Sequence, residues 1–182
     1  MQRHELEHLI RAAGAITGAE EIVVIGSQAI LGARPDAHGS LLRSVEADLF
    51  TFRDPRDADL IDGSIGEGSP FHETFGYYAQ GVWLDTATLP AAWRERLVRI
   101  QNENTRQVVA LCLEPHDLAV SKLVAGREKD TEFVLQLVRQ GIIVSGRIDA
   151  LIEELPIEPC EAVNVRERWQ RILKAAERPL NP

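Results

Sequence analysis

The sequence predicts an α+β protein with a helical C-terminal part, because strands and helices alternate over the first two thirds and helices follow alone. Two observations carry this prediction. Short β-branched or alternating runs, "EIVVI", "VEADLF", "RLVRI" and "QVVALCL", stand between helix-like segments before residue 114. After Pro115, apolar residues recur at helical spacing to the end of the chain. No internal repeat or low-complexity tract is present.

Leu6, Leu9, Ile10 and Ala13 repeat at helical spacing and predict an amphipathic opening helix over residues 3–16. "EEIVVIGS" is a β-branched run that stops at Gly26, so it reads as a buried strand, with Ser27 the N-cap of a short helix in "SQAILGA". "RPDAHGSLLR" is rich in turn residues and predicts a loop or frayed helix end. "VEADLFTF" predicts the next strand, and "DPRDADLIDG" a helix with Pro55 near its start. "DGSIGEGSP" reads as a flexible loop; it lacks the lysine of a phosphate-cradling P-loop. "QNENT" between "RLVRI" and "QVVALCL" marks a hairpin with a longer turn, preceded by packing residues Leu89, Pro90 and Trp93. "PHDLAVSKLVAG" and "KDTEFVLQLVRQG" predict helices ending at Gly126 and Gly141, and Val165, Trp169, Ile172, Leu173 and Ala176 mark a last amphipathic helix.

With 182 residues, 45% of them hydrophobic, the chain can bury a real core. The expected organisation is an α/β core over 1–113 with C-terminal helices over 114–182 packed on it, or a single domain over 1–182. No run of about 18 apolar residues and no basic-then-apolar leader is seen, so a cytoplasmic location and no membrane partner are expected. Cys112 and Cys160 lie far apart without a metal-ligand pattern and read as packed residues. A formal net charge of -8 argues against coating duplex DNA, which rests on neutralising phosphates with Lys and Arg. Arg94, Arg96, Arg99 and Arg106 form one local basic cluster, read as a solvated face; Lys122, Arg127 and Lys129 form a second.

The stretch "SVEADLF" places Glu46 and Asp48 two apart on a strand, hence on one face. Carboxylates that close repel, so either one keeps its proton or a cation sits between them. Mg2+ suits such a pair, because it takes oxygen ligands and binds through one or two carboxylates with phosphates and water completing its shell. The bland alternative is an edge strand with an acidic solvent face. On the helix beginning near Pro115, Asp117, Ser121 and Lys122 fall within an arc of roughly 140° that could face a cleft, opposite Ala119, Val120, Leu123 and Val124, with Leu118 an exception inside the polar arc. Their bland readings are an acid in a first helical turn for Asp117, a solvated lysine for Lys122, and an ordinary Arg127–Asp130 pair one turn apart. His72 and His116 have no partner at metal spacing and read as surface or capping residues.

A strand ending in Gly26-Ser27, followed by the acid pair, resembles the first motif of the nucleotidyltransferase superfamily of DNA polymerase beta type. "EPHDLAVSKLVAGREKD" resembles later motifs of abortive-infection and toxin-antitoxin nucleotidyltransferases, and "GYYAQGV" with Leu89, Pro90 and Trp93 is similar to small bacterial proteins of that group. The resemblance spans about Glu21 to Gly141 as scattered motifs.

It implies a mixed sheet flanked by helices and Mg2+-dependent transfer of a nucleotidyl group from an NTP to a hydroxyl on RNA, such as a tRNA, or on protein. It also implies a toxin-antitoxin or phage-defence setting with a cognate antitoxin. Glu46 and Asp48 would hold Mg2+, Gly26 and Ser27 would seat the phosphates, and Lys122, with Arg127 or Lys129, would pair with the triphosphate. Two departures stand out: Glu46 replaces the usual aspartate, and the third acid is not evident. Asp85 is the candidate third acid and proton acceptor, while Gln80 stands where an acid would be looked for. Two other classes therefore stay open: a catalytically inactive nucleotide-binding module, and an interaction partner holding a basic protein on its acidic face.

Overall fold

The computed structural model describes residues 1–37 and 39–178; His38, in the predicted loop after the first strand and turn, lies outside them. In order the elements are α1 (Arg3–Thr17), β1 (Glu21–Ile25), α2 (Ile30–Ala33), β2 (Glu46–Phe50), α3 (Asp57–Ile65), α4 (Pro70–Phe75), β3 (Tyr78–Gly81), β4 (Val98–Ile100) and β5 (Val109–Cys112). Four helices follow: α5 (Pro115–Ala125), α6 (Glu128–Arg139), α7 (Ser145–Glu153) and α8 (Pro159–Ala176). The fold is α+β, a mixed sheet flanked by helices with a helical C-terminal part. The chain divides into two compact units, one of Met1–Thr86 and Arg96–Glu114, the other of Ala87–Glu95 and the chain from Pro115 onward.

The first unit is built on five strands in the order β3-β2-β1-β5-β4. Central β1 is a continuous apolar run, Ile22 to Ile25, as expected of a strand covered on both faces. It pairs antiparallel with β2 and parallel with β5; β2 and β3 are parallel, and β4 and β5 form the antiparallel hairpin that the Asn-rich turn predicts. Leu6, Leu9, Ile10 and Ala13 of α1 are fully buried, each worth about 1.5–3 kcal/mol for the larger side chains. Glu7 of the same helix accepts hydrogen bonds from Asn102 (2.8 Å) and Asn104 (2.9 Å), which anchors the hairpin turn.

Glycine-rich "DGSIGEGSP" is not wholly a loop. Ala58, Ile61 and Ile65 bury one face of α3, so the helix runs on through Gly63 and the turn begins only at Gly66. Beside it β3 approaches closely because Gly81 has no side chain: an added Cβ would lie 1.9 Å from the Ala58 carbonyl oxygen. Asp62 Oδ1 accepts the Gly81 N–H at 2.6 Å, blunting this edge of the sheet.

In the second unit α5 packs with α6, α7 and α8, around Phe133, Val134, Leu137, Ile148, Leu151, Val165 and Trp169. The Trp169 indole donates to Asp149 Oδ1 at 3.0 Å, and the Ala91 N–H donates to the Glu154 carbonyl at 3.2 Å, tying in the 87–95 segment. Within the polar arc of α5, Ser121 is half-buried. Asp117 is fully buried and Lys122 is 8% exposed, so burial extends around the helix. Cys112 is buried, and burial pushes its thiol up to about 12; Cys160 is exposed at the start of α8 rather than packed.

Candidate functional site

Gly26 ends β1 with φ 67 and ψ -172, a backbone region essentially reserved for glycine. It occupies the cap position that the sequence suggests for Ser27. Ser27 instead begins a single 3-10 turn, Ser27–Ala29, and its hydroxyl forms no hydrogen bond among the described residues. Gln28 is fully buried and its Nε2 donates to the Ser44 carbonyl at 3.2 Å, which ties this turn to the approach to β2.

Strand β2 alternates as predicted: Glu46 and Asp48 share one half-buried face while Ala47 and Leu49 are buried. Asp48 is the register partner of Ile25, which brings its carboxylate onto the glycine that follows. A Cβ placed on Gly26 would lie 1.8 Å from Asp48 Oδ2, so the bare Cα is the floor on which this carboxylate rests. The glycine turn and the acid pair, separated by about 20 residues in sequence, thus form one place in the fold.

Strand β3 supplies residues that sequence reasoning missed or left undecided. The parallel register sets Tyr78 beside Glu46 and Gln80 beside Asp48. Tyr78 donates its hydroxyl proton to Glu46 Oε2 at 3.0 Å. Burial, the bond to Glu46 and the charges of Glu46, Glu67 and Asp48 push the Tyr78 hydroxyl up to about 12, so it stays a donor throughout the neutral range. The ring of His72 packs on that of Tyr78, centroids 4.6 Å apart, and His72 Nδ1 accepts the Gly68 N–H at 3.0 Å. Only the unpredictable β2–β3 register could have signalled Tyr78.

Asp85 does not extend β3. It lies in a 3-10 turn, Leu84–Thr86, beyond the strand end, and is exposed. The remaining predicted residues belong to the second unit. Lys122 Nζ lies 3.1 Å from Asp130 Oδ1, and Arg127 Nε donates to Asp130 Oδ2 at 2.6 Å. Burial raises the Asp130 carboxyl, but its bonds to Arg127 and Lys122 outweigh this and hold it below the usual carboxylate range. Lys129, on the first turn of α6, is exposed. His116 is buried, and its Nε2 accepts the Val144 N–H at 2.9 Å, a capping contact at the start of α7.

The oxygen set suits a hard divalent cation that draws the rest of its shell from water and phosphate. Among the described residues no group of three His, Cys, Asp or Glu side chains has metal-holding geometry, so the acid pair would need that outside help. No helix among them is long and apolar enough to cross a membrane.

A mixed sheet with a glycine turn after its central strand, and an acid pair on the neighbouring strand, is consistent with a nucleotidyltransferase-like fold. Residues 4–175 match the family described as "Nucleotidyltransferase of unknown function (DUF6036)", and the chain belongs to that family. No curated protein and no solved structure matches the chain significantly.

Proposed function

We propose that the protein is a Mg2+-dependent nucleotidyltransferase that moves a nucleotidyl group from an NTP to a hydroxyl acceptor. The observation that supports this best is the Asp48 carboxylate seated on the bare Cα of Gly26, with Glu46 on the same face. Glu46 and Asp48 are the residues that would hold Mg2+. When bound, the ion would neutralise charge developing on the phosphates. Gly26 and Ser27 are proposed to seat the phosphates on the strength of the resemblance, with the Ser27 hydroxyl as a donor at that turn. Lys122, Arg127 and Lys129 are proposed as triphosphate partners on the strength of the resemblance alone. The same holds for an RNA or protein acceptor, and for a toxin-antitoxin or phage-defence setting.

The reaction also needs a base for the acceptor's proton. Asp85 is the proposed one, and it lies past the end of β3. Gln80, in register with Asp48, carries an amide that takes no proton at neutral pH. That substitution favours a second reading, in which the protein binds an NTP without transferring it. Incubation with labelled NTPs, Mg2+ and total RNA or protein tests both. Transfer by the wild-type chain that is lost in Asp48→Asn supports the enzyme; Mg2+-dependent binding without transfer supports the second reading. Transfer that persists in Asp48→Asn contradicts the assignment of the acid pair.

A further inference from the structure

We infer that Tyr78 is a positioning residue for the cation site, fixing the Glu46 carboxylate so that one of its oxygens is presented to the ion. This rests on the proposed function and extends it to a residue of the neighbouring strand. A glutamate has one more rotatable bond than an aspartate, so on β2 Glu46 would hold a cation less well than Asp48 unless something restrained it. Asp48 is restrained by its seat on Gly26. Glu46 has no such seat, and its restraint comes from Tyr78, whose hydroxyl donates to Oε2 at 3.0 Å. Its Oε1 has no hydrogen-bond donor among the described residues, so that oxygen is available for a cation.

The tyrosine is itself held. Its side chain sits beside Glu46 because β2 and β3 are paired in parallel at this position. Its ring lies against His72. His72 is fixed from two sides: its Nδ1 accepts the Gly68 N–H, and its backbone N–H donates to Ser69 Oγ at 3.2 Å as the cap of α4. A series of restraints therefore runs from the Gly66–Ser69 turn through His72 and Tyr78 to Glu46. Groups that orient a metal-binding carboxylate typically change metal affinity by roughly 10–100-fold when removed.

Tyr78→Phe removes one oxygen and keeps the ring on His72. Mn2+ alone, titrated into the full chain and followed by loss of the free-ion EPR signal, reads the site without turnover. The expected result is binding by the wild-type chain, loss in the Glu46→Ala/Asp48→Ala double variant, and roughly 10–100-fold weaker binding in Tyr78→Phe with a cooperative melt. Wild-type Mn2+ affinity in Tyr78→Phe, with or without a lower melting temperature, assigns the hydroxyl to packing and overturns the inference alone. A wild-type chain that binds no Mn2+, or a double variant that still binds it, overturns the proposed function and this inference together.

Discussion

Replacing Gly26 by alanine tests the join between the turn and the acid pair. Two costs are legible in the structure. The first is backbone: at φ 67 and ψ -172 an L-residue is held in a region essentially reserved for glycine, at about 1–3 kcal/mol. The second is steric, since the new Cβ would fall 1.8 Å from Asp48 Oδ2 and one of the two must move. At about 2–4 °C per kcal/mol for a chain of this length, the backbone cost alone lowers the melting temperature by about 2–12 °C. The displaced carboxylate should also abolish Mg2+-dependent NTP binding. Gly18→Ala is the control. Gly18 also has positive φ (70), but nothing lies within 4 Å of an added Cβ, so it should destabilise by about 1 kcal/mol and leave NTP binding intact. Differential scanning calorimetry and NTP titration of both variants check this. Wild-type melting and wild-type binding in Gly26→Ala would refute the packing of Asp48 on Gly26.

Asp130→Ala leaves Lys122 buried without its carboxylate partner and should cost about 3–5 kcal/mol by urea denaturation at pH 7. Because Asp130 is held below its ordinary value in the folded chain, its contribution is complete above the unfolded value of about 3.9 and is lost as pH falls through the lower folded value. The gap between wild type and variant should therefore be constant from about pH 7 to 5 and narrow as pH falls below about 4; a gap that does not narrow there contradicts the ion pair's part. Asp62→Ala frees the Gly81 N–H on the sheet edge and should cost about 0.5–1.5 kcal/mol, with faster hydrogen exchange at Gly81; unchanged exchange there contradicts the bond. Asp85→Asn should keep Mg2+-dependent NTP binding within about twofold, because Asp85 is exposed and beyond β3. Calorimetric loss of binding would contradict this. The transfer rate of the same variant tells whether Asp85 is the base.

Local patterns were legible where one strand or turn decides them. The run from Ile22 to Ile25 ends at a glycine that its backbone angles require, and alternation in "VEADLF" puts both acids on one face. Long-range register was not legible. Tyr78 meets Glu46, and Gln80 stands beside Asp48, through a pairing of β2 and β3 that neither segment encodes alone. The helix of α5 was legible, but the bland reading of Lys122 as a solvated lysine failed for a different reason. A helical wheel cannot distinguish a polar residue facing water from one buried in an ion pair, and Lys122 is of the second kind. Glycine content likewise misplaced the end of α3, because burial of Ile61 and Ile65 outweighs a cost of about 1 kcal/mol for Gly63. Ser27 lost its expected cap role because Gly26 takes that position in a conformation closed to serine.

The central claim is that Glu46 and Asp48, beside Gly26, hold a divalent cation on which an NTP binds. A thermal-shift screen of the four NTPs, with and without Mg2+, on the wild-type chain and the Glu46→Ala/Asp48→Ala variant tests it most directly. For at least one NTP at about 100 times its dissociation constant, the wild-type chain should gain roughly 2.7 kcal/mol, or roughly 5–11 °C, only when Mg2+ is present. The double variant should melt cooperatively and gain nothing. An equal Mg2+-dependent shift in both chains, or no shift with any NTP in the wild type, would contradict the claim.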